Sequence, residues 1–140
     1  MAEGFARRYG SDVIQAASAG LAPAPIVQPL TKKVMEEKNI NIDEQYPKDV
    51  HDLPVAEFDL IVNMSGNKLP SYLQANVQEW TVEDPIGKNE ETYVAVRDLL
   101  ENQVMHLILD LRLAARRQAN PAPRSLAPRA VPAARSRRLK

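Results

Sequence analysis

Hydrophobic positions along the 140-residue chain follow two different periods. Over residues 89–113, Tyr93, Val96, Leu100, Val104, Leu107, Ile108 and Leu111 recur at the three- and four-residue spacing of one helix face. Asn89 stands where a capping side chain belongs, and Glu90 and Glu91 put negative charge where the helix dipole favours it. Residues 58–64, Phe-Asp-Leu-Ile-Val-Asn-Met, are almost continuously apolar and predict a strand. Residues 12–18 carry Val13, Ile14, Ala16 and Ala17 and predict another, of the kind covered on both faces. A further strand is expected over residues 77–81. Residues 28–39 predict a helix with Val27, Leu30 and Val34 inward, its lysines and glutamates outward, and Pro29 in the first turn. Residues 2–8 predict a short helix, ended by a left-handed Gly10.

Between these elements the chain is punctuated by turn chemistry. Pro23, Pro25 and Pro29 stiffen residues 21–29 against helix. Residues 40–54 are polar, with one helical turn expected over 48–53. Ser65-Gly66-Asn67 predicts a turn, followed by a short helix over 69–74, and residues 83–87 predict a loop. Strands alternating with helices predict an α/β fold with a parallel sheet.

Residues 114–140 are different material. They consist mainly of Ala, Pro and Arg, include four prolines, and have no apolar period. Burial cannot offset the entropy of ordering such a stretch, so disorder is expected. The organisation expected is therefore a folded domain at 1–113 and a basic tail at 114–140.

Charge sharpens that division. Residues 1–113 hold 10 Lys/Arg against 18 Asp/Glu, a net of −8, whereas residues 114–140 hold 8 basic residues and no acidic one. An acidic body with a basic tail results, and the tail suits weak polyanion binding through phosphate contacts. It has no aromatic residue for base stacking.

The absence of cysteine from these residues excludes disulfides, thiolate catalysis and cysteine metal sites within them. With only His51 and His106 for imidazole ligands, no metal and no cofactor are expected. No stretch reaches the roughly 18 apolar residues of a membrane span, and a cytoplasmic protein is expected.

Few residues suggest chemistry by themselves. His51 beside Asp49 and Asp52 has the composition of a metal cluster but sits in a polar loop. His106 lies beside the apolar stripe of the long helix. Trp80 suits either a strand-end core position or the wall of a cleft. Ser18 reads as a strand-ending serine that bonds nearby backbone. Asp84-Pro85 reads as a solvent-facing Asp-Pro turn. No phosphate-binding Walker loop, nucleophile elbow or dinucleotide fingerprint is present.

Taken in order, several short segments resemble the low-molecular-weight protein tyrosine phosphatases and the related thioredoxin-coupled arsenate reductases. They are residues 1–8, Ala17-Ser18-Ala19-Gly20, Val34-Met35-Glu36-Glu37, Pro47-Lys48, Phe58-Asp59-Leu60-Ile61-Val62 and Glu83-Asp84-Pro85. Each is common alone, while their order and spacing carry the resemblance across residues 1–113. It implies a three-layer, flavodoxin-like α/β fold with four parallel strands in the order 2-1-3-4. In that family a strand and a Cys-x5-Arg phosphate-binding loop come immediately before the first helix, and the 140 residues do not contain them. The fold is therefore expected to be truncated at its first, central strand, leaving facing strand edges with three outcomes open: the two strands pair directly, another chain or a second copy pairs them, or the body stays partly unfolded.

The resemblance also implies roles. Asp84 matches the family's general acid, which protonates the leaving oxygen of a phosphomonoester and needs a raised pKa to do so. Ser18 matches a serine that supports the phosphate loop. The implied activity is hydrolysis of phosphotyrosine protein or a small phosphomonoester through a Cys-phosphate intermediate, without metal. Lacking the thiolate, the chain as it stands is expected to be silent. Arsenate reductases need further cysteines, and Met64 and Ser65 stand where one would fall. The alternatives are an arsenate reductase-like protein and a non-catalytic interaction protein with an acidic body and an anion-binding tail.

Overall fold

A computed structural model describes residues 1–73 and 76–120. Its elements in chain order are α1 (Ala2–Tyr9), α2 (Pro29–Glu36), 3-10 turns at Val50–Asp52 and Val55–Glu57, β1 (Leu60–Asn63), β2 (Asn76–Glu79) and α3 (Glu90–Ala119). β1 and β2 pair in parallel, with Leu60 opposite Asn76 and Asn63 opposite Glu79. The expectation of an α/β fold with parallel strand pairing holds, but the strict alternation of strand and helix does not: among the described residues β1 is followed by β2 with no helix between them.

α3 forms as its pattern requires. The Asn89 side chain accepts from the Thr92 N–H at 3.0 Å, capping an otherwise unpaired donor. Tyr93, Val96, Leu100, Val104 and Ile108 are buried, while Leu107 and Leu111 are half-buried at the edge of the stripe. Phe5 and Ala6 of α1, Met35 of α2, and Ile40 and Ile42 beyond α2 complete the core. Pro29 lies in the first turn of α2, where its missing N–H leaves no bond unmade.

Four expectations are corrected. Residues 12–18 form a turn and an extended segment, not a strand. A strand is defined by its ladder, and among the described residues none pairs with this stretch. Only Gly20 makes a parallel bridge, to Asp49. Residues 69–73 contain a single turn closed by the Leu73 N–H on the Pro70 carbonyl, not the start of a helix. One turn fixes several dihedrals for one hydrogen bond, so it does not propagate without a packing face. Gly10 is not left-handed, having φ −127°. Its need is for space, since a Cβ there would stand 2.7 Å from Ile108 Cγ1. Finally, α3 does not stop at residue 113 but continues to Ala119. Basic Arg116 and Arg117 in its last turn and the Asn120 N–H on the Arg116 carbonyl support that end. The disorder expected of the remaining tail, residues 121–140, lies outside the described residues.

Among the described residues no helix is long and apolar enough to cross a membrane.

Candidate functional site

Parallel strands point their carboxyl ends the same way, and the loops leaving those ends form the usual crevice for ligands in open α/β sheets. Here the two loops enclose an open cavity of about 420 Å³, lined by Met64–Lys68 beyond β1 and by Glu79–Val82 at the end of β2. Its wall is organised by Asn63, the last residue of β1, which is 4% exposed. The Asn63 amide donates to the Asn67 carbonyl at 2.8 Å and to Glu79 Oε1 at 3.2 Å. Its oxygen accepts from the Ser65 N–H and hydroxyl. One buried side chain thus folds the 63–67 loop back on itself and joins it to β2. Glycine at position 66, at φ +74°, lets the turn close. Trp80 packs against the core and also lines the cavity, so both of its expected roles are realised together.

Asp84 follows this wall after two residues. It is exposed, and its Oδ1 accepts the Ile86 N–H at 3.0 Å, an Asx turn that fixes the carboxylate on its own loop. The Lys88 N–H on the Pro85 carbonyl and a Lys88–Glu83 ion pair close the same loop.

Ser18 lies in a different cluster. Its hydroxyl donates to Glu3 Oε1 at 2.5 Å. Glu3 occupies the first turn of α1, is 6% exposed, and also pairs with Arg7 at 2.8 Å and with Lys48 at 3.8 Å. The Lys48 ammonium stands 4.7 Å from the Tyr46 ring centroid. A carboxylate buried at a helix N-terminus, facing a hydroxyl and two cations, is satisfied on every side. Sequence reasoning missed Glu3 and the charge of Lys48. The signal available was an acidic residue in the first turn of a helix, common enough to pass unnoticed. Ser18 bonds the Glu3 carboxylate of α1 rather than the nearby backbone expected of it, Asp84 bonds its own loop, and the two do not meet.

His51 finds Asp49, as the sequence suggested, but not Asp52. His51 Nδ1 lies 2.5 Å from Asp49 Oδ1, and its Nε2 lies 2.9 Å from the Tyr72 hydroxyl. Asp49 is held below the usual carboxylate range, first by the His51 backbone N–H and then by the imidazole. No group of three or more potential metal ligands occurs among the described residues. His106 is exposed on α3, beside a small cleft shared with Gln78 and Trp80.

The fold and the strand-end crevice define an α/β protein with a cavity at the carboxyl ends of its parallel strands. The family model for low molecular weight phosphotyrosine protein phosphatase matches residues 1–119, and the chain belongs to that family. A glutaredoxin arsenate reductase from Synechocystis is 30% identical over 112 residues, 77% of this chain and 85% of that protein. An arsenate reductase in the phosphate binding state superposes with a TM-score of 0.73 at 29% identity, covering 79% of this chain and 86% of the other. A protein tyrosine phosphatase shares the fold, with a TM-score of 0.69 at 21% identity over 79% of this chain and 85% of the other. These relatives place the chain in the superfamily of the phosphatases and arsenate reductases, with their α/β fold.

Proposed function

We propose that residues 1–119 form the acid-bearing part of a low molecular weight phosphatase acting on phosphotyrosine protein or a small phosphomonoester, with no metal or cofactor. Asp84 is its general acid, and Ser18 supports its phosphate loop. The observation that supports this most is the family match over residues 1–119, with Asp84-Pro85 immediately beyond the carboxyl-end wall of β2. In this chemistry a thiolate displaces the ester oxygen from phosphorus while an acid protonates that oxygen as it leaves. The 140 residues hold no cysteine and so supply only the acid.

Purified chain is therefore expected to leave an aryl phosphate intact, and Asp84-dependent hydrolysis would overturn the reading. A chimaera carrying a relative's strand and Cys-x5-Arg loop ahead of Met1 tests the role of Asp84 directly. It should hydrolyse the ester and lose about 10²-fold or more in rate on Asp84→Asn.

A second reading, an arsenate reductase-like protein, is favoured by the 30% identity to the Synechocystis enzyme. Arsenite formation by the same chimaera with a thiol reductant, without ester hydrolysis, would select it.

Two partner readings accompany the catalytic one. Among the described residues β1 pairs only with β2, which leaves its other edge for a donated strand or a second copy. Sedimentation that shows dimers supports this, and a monomer at all concentrations removes it. Polyanion binding by the basic tail predicts salt-sensitive retention on heparin that is lost on deleting residues 121–140. A non-catalytic interaction protein would show these behaviours while the chimaera remained inert. A cytoplasmic location accords with all of these readings.

A further inference from the structure

Away from the acid loop, three side chains line up in an order that the proposed phosphatase chemistry does not use. Asp49 Oδ1 faces His51 Nδ1 at 2.5 Å, and His51 Nε2 faces the Tyr72 hydroxyl at 2.9 Å. We propose that Tyr72 is an activated hydroxyl that accepts an acyl group from an activated ester, with His51 as its general base and Asp49 as the residue positioning His51.

The local backbone explains why the arrangement is held. Asp49 caps the 3-10 turn Val50–Asp52, its Oδ1 accepting the His51 N–H at 2.8 Å. The same oxygen therefore receives both the backbone and the ring of His51, which sets the ring's bearing. The segment itself is fastened to Gly20, whose N–H donates to the Lys48 carbonyl at 2.9 Å and whose carbonyl accepts the Val50 N–H at 3.0 Å. Tyr72 arrives from the loop after β1, its ring 5.7 Å from the imidazole and tilted by 41°.

With Nδ1–H donated to a carboxylate, the Nε2 lone pair is left to accept the phenol proton. Carboxylate, imidazole and hydroxyl in that order are the means by which a neutral hydroxyl becomes a nucleophile. The His51 side chain is 70% exposed and Tyr72 is 50% exposed, so a small ester can reach the phenol. In the step, Tyr72 Oη adds to the carbonyl carbon while its proton passes to His51 Nε2. The ester C–O bond then breaks, the departing aryloxide takes that proton, and Tyr72 carries the acyl group. No oxidant or reductant enters, and the modification is stoichiometric.

Tyr46 provides an internal control. It is 66% exposed, more than Tyr72, and has a lysine ammonium over its ring but no imidazole partner. The full chain is treated with p-nitrophenyl acetate, and acetylation of each tyrosine is followed by peptide mass spectrometry. Tyr72 should acetylate about 10²-fold or more faster than Tyr46, the range of a positioned general base. His51→Ala should abolish the difference, and added imidazole should restore it. Asp49→Asn keeps an oxygen for the turn cap but cannot hold the imidazole as a carboxylate does, so it should slow Tyr72 while leaving the circular dichroism unchanged. Equal rates at the two tyrosines, or a Tyr72 rate indifferent to His51→Ala, would reduce the three residues to a surface latch and overturn the proposal.

Discussion

The helical half of the molecule and its sheet are built on opposite terms. Where α1, α2 and α3 meet, Phe5, Val34, Met35 and Ile108 are completely buried, and side chains from distant parts of the chain interlock. In the sheet only Asn63 is buried, and three of the four residues of β2 are exposed. Apolar burial of roughly 25 cal/mol per Å² therefore acts mainly between helices. The sheet is held instead by its ladder and by one amide side chain, and it carries the loops that line the cavity. The difference separates the part that makes this chain fold from the part that shapes its cavity.

The sharpest way to break that comparison is to cut on both sides of it. Phe5→Ala should cost about 3–5 kcal/mol, whereas Val77→Ala, half-buried in β2, should cost about 1 kcal/mol or less. Urea denaturation measures both, and equal losses would mean that the sheet is as much a part of the core as the helices. Arg97 gives the next largest effect. It is 8% exposed, donating to the Val34 carbonyl at 3.0 Å and pairing with Glu37 at 3.1 Å and Asp98 at 2.9 Å. Arg97→Ala strands a carbonyl of α2 and should cost about 1–3 kcal/mol, again by denaturation.

Asn63→Ala tests the sheet's own fastening. Its global cost should be about 1 kcal/mol, while hydrogen exchange at Ser65 and Asn67 should rise far more than exchange in α3. Uniform acceleration would show that the cavity loop and the core open together.

The smallest effect concerns acid. Arg112 holds the exposed Asp12 by two hydrogen bonds, of 2.9 and 3.0 Å, and this keeps the Asp12 carboxyl below its usual range. A depressed folded pKa stabilises the native state above the unfolded value of about 3.9, and that contribution is lost as pH falls through the folded pKa. Asp12→Asn should therefore lower the melting temperature slightly at pH 7 and leave it unchanged once both carboxyl forms are protonated. A deficit that persists in acid would place the effect in packing.

What was legible in the sequence follows the same division. The α3 stripe and the Asn89 cap were readable because a helix satisfies its own backbone and its pattern is local. The strand expected at 12–18 was not, because a strand exists only through a neighbour, and apolar character does not show whether one is present. Asp84 and Ser18 became candidates only through resemblance, since their loops have no period to read. Tyr72 stands 21 residues from His51, and no spacing rule joins a phenol to an imidazole at that separation.

One dimension of α3 has a mechanical consequence. Thirty residues at about 1.5 Å each make a rod of about 45 Å, and every residue from 113 to 120 is exposed. Its final turns thus act as a mast standing on a footing of buried leucine and isoleucine. A fluorophore placed at Ala119 would keep a set bearing relative to the core, so its anisotropy would report tumbling of the whole body rather than motion of a tether.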